Sequence, residues 1–265
     1  MIAPPYHKIP SIFKRTEKGI IIPGEFSTSI LGDLYDSNFP FIWREKVDGT
    51  NIRISFDMDR DPQFLIQGRT NRAIVPPYLQ VAIENLGLAE ILPERFPEGV
   101  TLYGEGYGPK IQKAGKLYRN DHSFVLFDVQ VGHPWDRRSR WHDQDAIKDV
   151  ARYLGIDSVP IIISGISLRE AIDMIDPFFL TTIPEGLPRL PQLANKAQSG
   201  GYAESETFIN HFPGIDLLSR WSRDSSPFRA EGLVGLPWGD LLDREGNRII
   251  TKIKCVDFEK LRASR

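Results

Sequence analysis

Apolar positions along the chain recur at two spacings. Runs of period two predict strands, and a few stretches of helical spacing interrupt them. Phe41-Ile42-Trp43-Arg44-Glu45-Lys46 reads as a strand, and Asn51-Ile52-Arg53-Ile54-Ser55-Phe56 alternates as a half-buried strand does. The Asp48-Gly49 pair between them signals a tight turn. Strands are also predicted over 63–69, Val100–Gly106 and Ser123–Val131. The last is almost continuously apolar, which suits the centre of a sheet. Two more, Ala230–Leu236 and Arg248–Cys255, flank a turn at Asp243–Asn247. Helical spacing marks Pro76–Leu88, through Leu79, Ala82, Ile83 and Leu86. It marks 141–154 too, through Ala146, Ile147, Val150, Ala151 and Leu154, and a shorter helix fits Leu168–Ile175. Pro and Gly punctuate residues 1–40, a loop-rich lead-in with one or two short strands. Residues 184–204, rich in Pro, Gly, Ser and Gln, read as a surface excursion, and 206–222 fit no single pattern. Strands at both ends with helices between them predict an α+β fold, antiparallel sheets with flanking helices.

Composition changes this picture little. A chain of 265 residues holds one large domain or two small ones. Apolar content of 41% and charged content of 26% are those of an ordinary globular protein. The formal charge of −2 gives no basic bias, so a nucleic-acid partner would have to meet a local basic surface. The single cysteine, Cys255, excludes an intramolecular disulfide and a Cys-rich zinc site, and suits a reducing, cytoplasmic compartment. Met1–Pro10 lacks the apolar centre of a signal peptide, and no run reaches the roughly 18 apolar residues of a membrane span.

Candidate chemistry begins at Lys46. A lysine at a strand end is ordinarily a solvated surface residue. A nucleophilic lysine must be neutral, which takes desolvation or nearby positive charge. It must also approach a phosphate closely, which a glycine in the adjacent turn permits. Lys46-Val47-Asp48-Gly49 combines these features. The longer stretch Glu45-Lys46-Val47-Asp48-Gly49-Thr50-Asn51-Ile52-Arg53-Ile54 resembles the adenylylated-lysine motif of the covalent nucleotidyltransferases: ATP-dependent DNA ligases, RNA ligases and mRNA capping enzymes. Its Gly49-Thr50-Asn51 is similar to the RNA ligase 2-like branch of phage and RNA-editing ligases. Four later stretches resemble that family's motifs in order. They are Tyr103-Gly104-Glu105 with its trailing Gly108-Pro109-Lys110-Ile111-Gln112-Lys113, Phe124-Val125-Leu126-Phe127-Asp128-Val129, Ala230-Glu231-Gly232-Leu233-Val234, and Thr251-Lys252-Ile253-Lys254. Each is common alone; the shared order over 45–254 carries the resemblance.

The resemblance implies an ATP-grasp-like adenylylation domain over 1–265, with 130–229 as an insertion and no C-terminal OB-fold. It implies ATP-dependent joining of 3′-hydroxyl and 5′-phosphate ends, RNA preferred, through AMP held covalently on Lys46, in a monomer. Glu105 would accept from a ribose hydroxyl. Phe127 would stack on adenine, although aromatics of apolar strands mostly pack in cores, where Phe124 is assigned. Glu231 would hold Mg²⁺ or Mn²⁺. Lys252 and Lys254 would neutralise the α-phosphate from one strand face. Glu45, Asp48 and Gly49 would line the nucleotide site. Arg69, with Arg72 as the competing choice, would contact nucleotide or the RNA end, and Asn51 and Lys113 would face nucleic acid. The clusters Arg137-Arg138…Arg140 and Arg220…Arg223…Arg229 are further phosphate contacts or plain solvated arginines. Asp48 departs from the branch, which often has histidine there; aspartate is the habit of DNA ligases and capping enzymes. A minimal DNA ligase sealing nicked duplex, a non-sealing end-binding module and a GTP-using capping enzyme are therefore the alternatives.

Overall fold

The alternating run that ends at Lys46 and the one that begins after Gly49 form separate strands of separate sheets in a computed structural model, which describes residues 3–113, 115–133, 139–175, 230–239 and 241–263. Arg137, Arg138, Arg220, Arg223 and Arg229, the excursion at 184–204 and the stretch 206–222 lie outside the described residues. In chain order the elements are β1 (Phe13–Arg15), β2 (Ile21–Phe26), α1 (Ser29–Asp36), β3 (Phe41–Lys46), β4 (Thr50–Phe56), β5 (Phe64–Gly68), α2 (Pro77–Glu84), α3 (Leu88–Arg95), β6 (Val100–Tyr107), α4 (Gly115–Tyr118), β7 (Ser123–Val131), β8 (Arg140–Trp141), α5 (Gln144–Leu154), β9 (Asp157–Ser158), β10 (Ile161–Ile166), α6 (Leu168–Ile175), β11 (Gly232–Pro237), β12 (Thr251–Lys254) and α7 (Cys255–Ala263). They fall into two compact units.

The first unit comprises residues 3–8 and 47–159. Its sheet runs in the order β5-β4-β6-β7-β8, antiparallel, with β9 added parallel to β7. One face is apolar. Ile52, Ile54, Leu102, Phe124, Leu126 and Val129 pack there with Leu79, Ile83, Leu92, Ile147, Val150 and Leu154 of α2, α3 and α5. The other face is polar yet buried, with Arg53, Ser55, Thr101, Tyr103, Asp128 and Gln130.

The switch that allows this lies in β7. Tyr103 pairs with Asp128, but Gly104 pairs with Leu126, so Phe127 is the inserted residue of a bulge. Strict alternation would put Asp128 on the apolar face with Phe124 and Leu126. The inserted residue moves Asp128 to the polar face and returns Val129 to the core.

The second unit comprises 9–46, 160–175 and 230–263. Its main sheet has the order β10-β3-β11-β12, antiparallel throughout, beside the β1-β2 pair. Phe41, Trp43, Leu233 and Ile253 point to one face and meet Leu31, Tyr35, Ile172 and Phe258 of α1, α6 and α7. The lead-in reaches this sheet too: Lys252 N–H donates to Pro10 O at 3.0 Å and Ile12 N–H to Lys252 O at 3.2 Å.

Several boundaries differ from the sequence reading. The lead-in contains a helix, α1, capped by Thr28 accepting from Leu31 N–H. The helix expected over Pro76–Leu88 ends at Glu84, and a second one that was not expected, α3, starts afresh after Gly87, which takes a left-handed φ of 68°. The helix expected from 141 begins at Gln144. Asp143 is its cap, accepting from Ala146 N–H at 2.8 Å, while Arg140–Trp141 pair with β7. The last predicted strand, Arg248–Cys255, shortens to Thr251–Lys254, and Cys255 opens α7. β10 was not expected at all. No helix among the described residues is long and apolar enough to cross a membrane.

Candidate active site

In the second unit, β11 lies between β3 and β12, so the start of β11 meets the ends of both neighbours. Gly232 stands opposite Lys46 on one side and Lys254 on the other. Glu231, one residue earlier, therefore has an ammonium on each flank. Its Oε2 is 2.5 Å from Lys46 Nζ and its Oε1 2.6 Å from Lys254 Nζ. These three side chains are 17–30% exposed, open enough to meet a ligand. Glu231 O also accepts from Cys255 N–H at 3.0 Å, fixing the backbone beneath the carboxylate. Gly232 has φ 156° and packs onto Ile253 O, where a Cβ would come within 1.9 Å; only glycine follows Glu231 without shifting β12.

Period two decides what else shares this face. Lys252 lies on it with Lys254, opposite Val234, and Arg44 lies on it with Lys46, opposite the same Val234. Arg44, Lys46, Lys252 and Lys254 thus occupy two adjacent rows on one face, with Glu231 at the edge. Arg44 went unnoticed in the motif reading; its i−2 spacing from a strand lysine is the signal that finds it. Glu45 is on the opposite side with Phe41 and Trp43, 2% exposed, and pairs with Leu233. That position does not place it on the face of Lys46.

The first unit gathers a different set. Asp48 N–H donates to Tyr118 Oη at 3.0 Å, and Gln112 Nε2 donates to Gly49 O at 3.2 Å. The turn after Lys46 is thus held by α4 and by the segment that precedes it. Gly49 sits so close to β6 that a Cβ would lie 2.4 Å from Gly106 O and 2.6 Å from Glu105 Cγ. Its bare Cα is what lets the turn close onto Glu105. Asn51 pairs directly with Glu105 across β4 and β6, and their side chains share the polar face. Asn51 Oδ1 is buried there with no hydrogen-bond partner among the described residues. Such an orphaned acceptor is costly unless a ligand donor meets it.

Phe127 is half-buried at the bulge, its ring 5.0 Å from that of Tyr6, and is no part of the apolar core that holds Phe124. Arg69 and Arg72 are both exposed after β5. Between them Asn71 Oδ1 accepts from Arg53 Nη2 at 3.0 Å, and Arg53 Nε donates to Gly68 O at 2.9 Å. Burial lowers the Arg53 guanidinium from its ordinary range and pushes the Tyr103 phenol up. Lys113 is exposed beside Gln112.

The residues present suit a nucleotide triphosphate with a divalent ion. The second unit offers a cationic face with the Glu231 carboxylate; taken by itself, the first offers the close-packed Gly49 turn, the Glu105 carboxylate and the unsatisfied amide oxygen of Asn51.

A comparison with curated proteins finds no match. Solved structures do match. One is the Naegleria gruberi RNA ligase with PPi, at TM-score 0.52 and 15% identity, covering 98% of this chain and 64% of that one. Another is a lysine-to-alanine mutant of the Naegleria gruberi RNA ligase with ATP and Mn, at TM-score 0.53 and 14% identity, covering 100% and 64%. A glutamate-to-alanine mutant with ATP and Mn gives TM-score 0.52 and 16% identity, covering 95% and 59%. At these identities the likeness shows the fold, and the chain spans less than two thirds of the length of these relatives. The RNA ligase family model matches residues 39–236, well over half of the sequence, and the chain belongs to the RNA ligase family.

Proposed function

We propose that this protein is an ATP-dependent RNA ligase that joins 3′-hydroxyl and 5′-phosphate ends through an adenylate on Lys46. The observation that carries the reading is the Glu231 carboxylate set between the ammonium groups of Lys46 and Lys254. Lys46 is the nucleophile. Its Nζ forms a bond to the α-phosphorus of ATP, the bond to the β-phosphate oxygen breaks, and pyrophosphate leaves. The ion pair with Glu231 must open first and Nζ must lose its proton, because an ammonium has no lone pair to give. Arg44, Lys252 and Lys254 offset the charge that gathers on the phosphate. A divalent ion held by Glu231 would supply further positive charge at the phosphate. Glu105 and Asn51 meet ribose hydroxyls or the RNA end, and Phe127 stacks on the base. AMP then passes to a 5′-phosphate, and a 3′-hydroxyl displaces it to close the phosphodiester. ATP and Mn in the Naegleria gruberi ligase mutants support this choice of nucleotide and ion class.

The test is adduct formation with α-labelled ATP and Mg²⁺ or Mn²⁺. The wild type becomes labelled, Lys46→Ala does not, and GTP does not compete. A wild type that labels with no nucleotide rejects the enzyme reading. Asp48 favours one second reading, a minimal DNA ligase. Joining across a panel of nicked and single-stranded RNA and DNA ends separates the two, since a strong preference for all-DNA nicks would overturn the RNA assignment.

A further inference from the structure

The polar face of the first unit's sheet is covered by the chain's own N-terminus. Arg53 Nη1 donates to Ala3 O, Tyr103 Oη donates to Pro4 O at 3.2 Å, and Tyr6 Oη donates to Asp128 Oδ2. All three sheet residues are almost fully buried. Lifting residues 3–7 away would take one hydrogen bond each from a buried guanidinium, a buried phenol and a buried carboxylate, which makes the strap costly to move.

Tyr6 does more than cover the sheet. Its ring lies 5.0 Å from Phe127 with planes at 68°, and 5.1 Å from Tyr103. The His7 ring stacks on that of Tyr6 at 4.3 Å, and Trp141 meets it edge-on at 6.0 Å. Tyr6 thus holds both residues that the bulge in β7 sets side by side on the polar face: the Phe127 ring through an edge contact, and the Asp128 carboxylate through its hydroxyl. A ring at an inserted position has no paired neighbour across the ladder to hold it, and it binds a flat ligand best when another side chain fixes its rotamer beforehand.

We propose that Tyr6 is a positioning residue for the nucleobase, orienting Phe127 so that the adenine of ATP stacks on it. The proposal rests on the reading of Phe127 as the base-stacking residue. The base never touches Tyr6; the effect runs through Phe127. Loss of Tyr6 therefore weakens recognition of the base and leaves recognition of the phosphates alone.

The experiment measures adduct formation against ATP concentration for Tyr6→Leu, Tyr6→Phe and Phe127→Ala. It also measures inhibition by tripolyphosphate, which has no base, and the fluorescence change of an etheno-adenosine triphosphate on binding. For Tyr6→Leu the ATP KM rises about five- to tenfold, the scale of one aromatic pair, while kcat changes far less. Tyr6→Phe, which keeps the ring, gives a smaller rise. Tripolyphosphate inhibition stays at the wild-type level in both, and the etheno-adenine signal falls with the KM effect. An unchanged ATP KM in Tyr6→Leu overturns the proposal, as does equal weakening of ATP and tripolyphosphate. A lowered KM would make the strap an obstacle, which also overturns it. Should Tyr6→Leu fail to fold, Tyr6→Phe with the same two probes decides: wild-type base fluorescence and KM reject the role. Phe127→Ala keeps the two readings distinct. Normal ATP KM in that variant rejects base stacking itself, whereas a raised KM there with normal Tyr6 variants rejects only the role of Tyr6.

Discussion

A carboxylate shared by two lysines sets what single substitutions will do. Replacing Glu231 by Gln keeps the shape but removes the charge that Lys46 and Lys254 both meet at 2.5–2.6 Å. Adduct formation in Glu231→Gln should fall by about 100-fold or more, the scale for losing an aligned charged group at a reacting phosphate. Label incorporation at saturating ATP measures it, and near-normal labelling would remove Glu231 from the machinery. Gly49 makes a steric prediction. The 2.4 Å approach of an added Cβ to Gly106 O means that Gly49→Ala must push the turn off β6. Overpacking of this kind costs about 1–3 kcal/mol, readable in denaturant unfolding, and the shift at Glu105 should raise the ATP KM as well. Both glycine and lysine were legible as motif letters. That glycine is required by contact with Glu105, more than fifty residues on, was not.

Elements explain what was misjudged. α5 starts where Asp143 caps it, so Asp143→Ala should cost about 1 kcal/mol in thermal or denaturant unfolding without touching adduct formation. Beside it, burial holds the His142 imidazole below its ordinary value of 6.5, outweighing Asp143, which pulls the other way. The unfolded chain then binds the proton first. Stability therefore falls as pH drops below about 6.5, and the loss ends once the folded imidazole also protonates. In His142→Gln this part of the acid limb should vanish from a plot of Tm against pH between 7 and 5; an unchanged slope would refute it. The bulge in β7 is the element-scale feature that alternation could not reveal. Sequence periodicity assumes an unbroken register, and one inserted residue changes the face of everything after it. The strand itself was plain from its apolar run, but which face Asp128 and Gln130 take was decided by pairing with β6.

At the scale of the molecule, charge is local. The chain carries a formal −2, yet Arg44, Lys46, Lys252 and Lys254 share one sheet face. Added salt should therefore slow adduct formation several-fold at ATP well below KM between about 0.05 and 0.3 M, and much less at saturation, since screening acts on long-range attraction. Equal slowing at both ATP levels would argue against this face as the phosphate site. By itself the sequence determined the α+β class, most strands and the order of the motifs in which Lys46 stands, because local periodicity and contiguous residue patterns encode them. Tertiary structure alone decided the rest. The sheet order β3-β11-β12 brings Lys46 to Glu231 across 185 residues of sequence separation, sets Lys254 beside them, and adds Arg44 to their face while burying Glu45 behind it. The strap of residues 3–7 looked like a loop-rich lead-in because its bonds are made to partners up to 122 residues away. Contacts of that range depend on how strands pair, and no local pattern records the pairing.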